Sequence, residues 1–461
     1  MTSFRNPFPQ ELLDNITDCV SLICRQSLRN LSLTSRQHFL HRSQSHMFAH
    51  VGGEFLAIKI FNGNPALLRH VQSYDLWLWR ANSAQYDEWQ KTHLQIAEGL
   101  VNLRRLLLTV ANVQGWGEST ELSRNVVRKL LSHTSLVELA VYVSKFPVHL
   151  IASIPGLRKL EASRELSTEG LRDIAGYPWT LRTLLCNGYT INKLPLSRST
   201  FKNLTTLSFE IGSAQQQTTV RQFIEGISGF APLKVLGLHY SSIRGTPPTL
   251  ISHRGEVTLT YLYEAFECFA QADCALPPLP SLRRLRLSFM TEGPEAIMSA
   301  QPRLHLYIPS FPVPLLHKHP LASLEVLEIV YLAVLNGLWR EGMLLTIRAS
   351  ETLYQADEAW RMLDDILSDT ALLPNLRALR VKASYVPTKW SKERNPGEKR
   401  SLKELTERRG GEILVALPQT FERIHDLDAG VHAQAGERFD SFAAQYAIPI
   451  GEQWIAASVD F

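Results

Sequence analysis

Apolar residues recur along this chain in two rhythms. Over residues 8–20, Leu12, Leu13, Ile16 and Val20 return at helical spacing, with Gln10, Glu11, Asp14, Asn15 and Asp18 on the remaining faces. Pro9 suits the first turn of such a helix, where a missing N–H costs nothing. Ser27 as N-cap, followed by Leu28 and Leu31, predicts a second helix, and Phe39, Ser43 and Met47 share one face of a third that runs to about Phe48. Three helices of this length bury little core, so a unit over residues 1–50 should be steadier against a neighbour than alone.

The second rhythm is Leu-x-x-Leu-x-Leu, the last position being another apolar residue in some copies. Copies open at Leu103, Leu136, Leu157, Leu181, Leu204, Leu233, Leu282, Leu324 and Leu376. The fourth and sixth positions face the same way along a strand and can stack into one core. Prolines at 155, 232, 280 and 374 precede copies and stop the segment before them, while Glu256–Phe269 and Glu358–Leu367 read as helices between copies. The predicted architecture is α/β: a helical N-terminal module at 1–50, an irregular solenoid of parallel strands and helices at 51–430, and a cap or tail at 431–461. Six prolines mark residues 291–320 as a surface insertion, residues 389–411 are a second loop, and Phe421–Leu427 is a worn final copy.

Phe8-Pro9-Gln10-Glu11-Leu12-Leu13, then Ile16, Leu28, Leu31 and Arg36, resembles the F-box pattern. That pattern is a Leu-Pro-x-Glu-(Leu/Ile) start, an isoleucine one turn on and a second leucine-bearing helix; Phe8 here replaces the commoner leucine. The resemblance implies a three-helix module that docks to the cullin adaptor of SCF-type ubiquitin ligases. Phe8, Pro9, Leu12, Leu13, Ile16, Leu28 and Leu31 would be its contact or core residues. The later copies resemble a degenerate leucine-rich-repeat array of the kind that follows an F-box in fungal proteins. Their starts lie 21–52 residues apart, with only some intervals in the usual range of about 20–29. Together these resemblances imply a non-enzymatic substrate receptor whose repeats hold another protein; the alternative is a repeat scaffold with no link to ubiquitin.

Composition narrows the field without changing that picture. Hydrophobic residues make up 45% and charged residues 20% of the 461, with mean hydropathy −0.08, so most of the chain should bury a core. No apolar run reaches the roughly 18–20 residues of a membrane span, and no secretory leader is evident at the N-terminus. Five scattered cysteines suit reduced thiols, hence cytoplasm or nucleus. Net charge is +4, and residues 389–409, with eight Lys or Arg against four Glu, carry all of it. The remaining 40 basic and 40 acidic residues form no basic field for nucleic acid.

No chemistry-bearing motif emerges, and neither a catalytic residue nor a metal or cofactor is expected. Cys19, Cys24, His38 and His41 miss zinc-finger spacing, and Gly226-Ile227-Ser228-Gly229 is one residue short of a nucleophile elbow. A hydrolase would need a triad assembled from residues distant in sequence. The candidate partner surface comes instead from the strand pattern, whose third, fifth and seventh positions point away from the core. They are Arg105, Glu138, Tyr142, Lys159, Glu161, Glu210, His239, Arg284, Arg286, Glu328, Arg380 and Lys382. Within this set Glu138, Tyr142, Glu161, Glu210, His239, Arg284, Arg286, Arg380 and Lys382 are the expected substrate-binding residues, with acidic groups early and basic groups late. Arginine forks pair well with carboxylates and phosphates, so the late arginines are expected to meet an acidic or phosphorylated segment.

Overall fold

Every leucine that opens one of these copies stands two residues before a β-strand, from Leu103 ahead of Arg105 to Leu376 ahead of Ala378. The computed structural model describes residues 17, 50–52, 54–78, 84–110, 115–169, 180–191, 194, 201–240, 275–292, 315–335, 358–387, 417–424 and 426–433. The chain forms two compact units, one of residues 1–183 and 193–201, the other of residues 184–192 and 202–461. Both are α/β, built of parallel strands alternating with helices.

In the first unit β1 (His50–Gly52), β2 (Ser73–Leu78), β3 (Arg105–Val110) and β4 (Glu138–Val141) pair in that order, all parallel. A two-stranded parallel pair, β5 (Phe146–Pro147) with β7 (Leu166–Ser167), flanks β6 (Lys159–Ala162), which continues the main run beside β4. The helices are α1 (Glu54–Gly63), α2 (Ala84–Gly99), α3 (Glu121–Leu131) and α4 (Val148–Ala152). Thr120 caps α3, its hydroxyl accepting the Ser123 N–H at 3.0 Å, and α3 buries Val126, Val127, Leu130 and Leu131. β8 (Thr183–Asn187) spans the residue at which the units divide, and α5 (Gly188–Ile191) follows it.

The second unit pairs β9 (Thr206–Ile211), β10 (Val235–Tyr240), β11 (Arg284–Glu292), β12 (Val326–Leu335), β13 (Ala378–Pro387) and β14 (Asp426–Ala433) in chain order, again all parallel. α6 (Ala214–Ser228) lies between β9 and β10 in sequence, α7 (Glu358–Ser368) precedes β13, and α8 (Pro418–Arg423) precedes β14. Asp364 docks the last two helices. Its carboxylate accepts the N–H groups of Gln419 at 3.1 Å and Thr420 at 2.8 Å, satisfying donors that the start of α8 leaves without intrahelical partners.

The repeated motif works through two devices. The opening leucine is buried and in most copies closes a turn, donating its N–H to the carbonyl three residues earlier, as Leu103 does to Leu100, Leu282 to Leu279, Leu324 to Leu321 and Leu376 to Leu373. Pro280 and Pro374 stand second in such turns, where their fixed φ is favourable. Then one lead-in carbonyl accepts two N–H groups of the next copy. Gln72 takes those of Arg104 and Arg105, Lys234 those of Arg283 and Arg284, and Glu325 those of Arg377 and Ala378. The register of each strand is therefore set before its first side chain reaches the core.

Several expectations shift against this frame. β11 runs on to Glu292, and Leu315 and Leu316 are helical and buried; the rest of the insertion expected at 291–320, residues 293–314, lies outside the described residues. The worn final copy opens at Ile424, which is buried two residues before β14; Phe421 belongs to α8 and is 56% exposed. Gly226–Ser228 ends α6 with Gly229 as its C-cap, so no strand-to-helix elbow exists there. Helix 358–367 is present as α7, whereas helix 256–269, loop 389–411 and tail 434–461 lie outside the described residues.

His93, buried in the first unit, is paired through Nδ1 with the Tyr74 hydroxyl at 2.9 Å. Burial lowers its pKa to about 4, so the folded ring stays neutral where an unfolded one takes a proton. A histidine with a depressed folded pKa makes no difference to stability above about pH 6.5 and costs stability as pH falls from there towards 4. The expected loss approaches about 1.4 kcal/mol per pH unit in the middle of that window. Urea unfolding of wild type and His93→Gln at pH 7 and pH 5 checks it. The variant should lose less stability over the interval, and equal losses would remove this role.

Candidate functional site

Because side chains alternate along a strand, each parallel run has a buried face and a polar one. In the second unit Leu285, Leu287 and Phe289 are buried, and Arg284, Arg286 and Ser288 alternate with them. Register assembles the alternate positions into rows. One row reads Ser208, Gly237, Arg286, Glu328, Arg380 and Asp428; the next contains Glu210, His239, Ser288, Val330 and Lys382.

Within the first row charge alternates in sign. Arg286 Nε lies 3.6 Å from Glu328 Oε2 and 3.4 Å from Ser288 Oγ, with the arginine side chain 11% exposed and the glutamate 4%. Burial lowers the Arg286 pKa, and the charge of Glu328 opposes that shift. Arg284 and Arg380 are half-buried, Glu210 is exposed, and Lys382 is placed by its register with Val330. The late arginines thus occupy the polar face, but Arg286 is largely committed to Glu328.

His239 Nε2 lies 3.0 Å from the hydroxyl of buried Ser208. The spacing is that of a nucleophile and a base. Burial, reinforced by Arg286, lowers the imidazole pKa to about 3, which makes it a poor proton acceptor at neutral pH.

In the first unit the corresponding rows are Ser73, Arg105, Glu138 and Lys159, then Asp75, Leu107, Ala140 and Glu161. Beyond them Trp77 is opposite Thr109, and Tyr142, whose N–H donates to the Leu108 carbonyl at 2.8 Å, flanks Thr109 on the other side. Lys159 Nζ and Glu138 Oε2 are 4.0 Å apart and partly exposed, a pair that contributes about 0–1 kcal/mol. The Tyr142 hydroxyl donates to Glu161. Its pKa is raised by burial first, then by the charge of Glu161 and more weakly by Asp75, with Arg105 acting in the opposite direction. Asp75, Arg105, Tyr142 and Glu161 therefore share one electrostatic neighbourhood.

Asp75 and Trp77 escaped the sequence pattern because the copy that forms β2 opens with Val71, two residues before the strand, and carries Tyr74 where other copies have leucine. Val71-x-x-Tyr74-x-Leu76 is nonetheless the same motif, with all three residues buried. The expected adaptor-binding residues Phe8, Pro9, Leu12, Leu13, Ile16, Leu28 and Leu31 lie outside the described residues; Thr17, next to Ile16, is helical and fully buried. Among the described residues no group of three or more His, Cys, Asp or Glu could hold a metal ion, and no helix is long and apolar enough to cross a membrane.

No known family matches the chain, and no curated protein matches it. Among solved structures it is similar to a protein from Bacteroides fragilis, at 13% identity and a TM-score of 0.26. The match covers 61% of this chain and 64% of that one.

Proposed function

We propose that this chain is a substrate-receptor subunit of an SCF-type ubiquitin ligase. Residues 7–50 would dock to the cullin adaptor, and the polar faces of the parallel strands would hold the protein to be modified. The transfer chemistry would belong to other subunits, and this chain would supply proximity. The observation that carries the reading is the combination of an F-box-like start at Phe8–Leu13 with Leu-x-x-Leu-x-Leu copies that form parallel strands, polar on one face. Such an array presents side chains from successive strands about 4.8 Å apart, a broad surface suited to a polypeptide.

The decisive experiment is capture of the purified cullin adaptor by the full-length chain. Wild type is expected to bind at micromolar concentration or tighter. Full burial of a Leu or Ile side chain contributes about 1.5–3 kcal/mol, so Leu13→Ala with Ile16→Ala should weaken binding by at least 100-fold. Circular dichroism of the variant separates lost contacts from an unfolded module. Absence of adaptor binding by intact wild type would leave the repeat scaffold unconnected to ubiquitin as the surviving reading.

A further inference from the structure

The residue just before each strand sits at the edge of the sheet, beside its counterparts in the neighbouring strands. In the second unit three such residues in succession are Arg283, Glu325 and Arg377. The central carboxylate bridges its neighbours, Oε1 lying 3.7 Å from Arg283 Nη1 and Oε2 2.7 Å from Arg377 Nη2. In the first unit the same three places, before β3, β4 and β6, hold Arg104, Val137 and Arg158. The backbone pattern is the same. The Arg104 carbonyl accepts the N–H groups of Val137 and Glu138, and the Val137 carbonyl those of Arg158 and Lys159, just as Arg283 serves Glu325 and Val326 and Glu325 serves Arg377 and Ala378. Arg104 and Arg158 are exposed and Val137 is half-buried, and neither arginine pairs with a carboxylate among the described residues. Two strand spacings separate the arginines, about 10 Å, in both units. Glu138, one residue past Val137, is held by Lys159, and exposed Arg105 and Arg182 add positive charge nearby.

We propose that the position over Val137 takes an aspartate or glutamate side chain of a bound polypeptide, with Arg104 and Arg158 closing on its carboxylate as Arg283 and Arg377 close on Glu325. The inference rests on the reading of the array as a polypeptide-binding surface, common to the ligase and the scaffold, and names the residue class that this edge selects. Glu325 carries the argument, because it shows within this chain that two arginines at this backbone spacing reach one carboxylate together. Guanidinium forks match carboxylates in geometry as well as in charge. Val137 puts a short apolar side chain where the second unit has its own acid, so a partner's carboxylate displaces no existing ion pair there. Pairs at exposed positions are individually weak, and the edge therefore contributes selectivity and register within a longer interface.

The test is fluorescence anisotropy of fluorescein-Gly-Glu-Glu-Glu-Gly-amide titrated with the full-length chain at low ionic strength, where exposed charges are least screened. Its glutamine counterpart, which keeps the length and loses the charge, is titrated alongside and should bind about tenfold more weakly or not at all. Val137→Glu supplies the missing carboxylate from within the chain, so it should occupy both arginines and reduce peptide binding about tenfold. Lys129→Gln, at an exposed helical position, changes net charge by the same amount and should leave binding within twofold of wild type. Arg104→Gln with Arg158→Gln should also lose about tenfold, against little change in the charge-matched Lys59→Gln with Lys129→Gln. Both arginines are exposed, so this pair of substitutions decides the matter even if Val137→Glu disturbs the fold, which circular dichroism reports. Equal binding of the glutamine peptide overturns the proposal. So does a loss in the arginine double variant no larger than in its charge-matched control. In the ligase reading the adaptor is bound through residues 7–50, so failure here leaves that reading standing, and failure there leaves this edge standing.

Discussion

Arg286→Ala is expected to destabilise the second unit by about 3–5 kcal/mol, the range found when one member of a buried ion pair is removed. The guanidinium and the Glu328 carboxylate lie 3.6 Å apart, at 11% and 4% exposure, so truncating the arginine takes away a charge that compensates a desolvated carboxylate. Removing both charges is a different experiment. Arg286→Met with Glu328→Leu keeps the volume and deletes the desolvation cost of two ions, and its stability should return close to that of wild type. Urea unfolding of both variants supplies the comparison. If Arg286→Ala alone costs less than about 1 kcal/mol, the pair behaves as a surface contact and the enclosed row has been misjudged. The outcome also decides how partner-binding mutants are interpreted. Loss of binding on Arg286→Ala would report folding, whereas Arg284→Ala and Arg380→Ala, at half-buried positions, probe recognition more directly.

Much of this architecture is legible in the leucines, because one motif performs the same two tasks in most copies. The first leucine closes a turn and the next two define a buried strand face, so finding Leu282, Leu285 and Leu287 is enough to place β11 and orient Arg284 and Arg286. An earlier position carries the same information. Leu100, Leu279, Leu321 and Leu373, each three residues upstream, accept the turn bonds and are themselves buried. β2 and β14 escape the pattern because Val71, Tyr74 and Ile424 satisfy the same packing with different shapes. Missing β2 hid Asp75 and Trp77, an aromatic side chain exposed to 39% on the polar face.

The pairing of charges was less accessible, because it depends on which strands become neighbours. Glu328 lies 42 residues beyond Arg286 in sequence and directly beside it in register. In chain order the expected substrate-binding positions run from early acids to late bases, because Arg105, Lys159 and Glu328 stand outside that subset. Aligned by register, opposite signs stand side by side, as Glu138 does with Arg105 and Lys159, and Glu328 with Arg286 and Arg380. In a face organised in this way opposite charges stand beside one another, and no broad field of one sign forms along the described rows.

Phe289→Ala should bring a second loss of comparable size, about 3–5 kcal/mol, and it tests the buried face just as Arg286 tests the polar one. Two residues past the last leucine of its copy, Phe289 is almost fully enclosed and stacks on Tyr240 of the adjacent strand, ring centroids 5.4 Å apart and planes 9° from parallel. Register explains the meeting, since Tyr240 and Phe289 are direct partners across β10 and β11, next to the pairing of Leu238 with Leu287 two residues earlier. Truncation removes the stacked ring and opens a cavity between strands that the backbone hydrogen bonds hold at fixed spacing, so the site cannot collapse to fill it. Phe289→Leu retains most of the volume and should cost markedly less, about 1–1.5 kcal/mol. A double-mutant cycle with Tyr240→Leu isolates the ring–ring contribution, expected at about 0.5–1.5 kcal/mol beyond area burial. Additive losses in the cycle would show that the two rings merely fill space, and that Tyr240 and Phe289 could be aliphatic without further cost, as Ile211 already is at the same place in its copy.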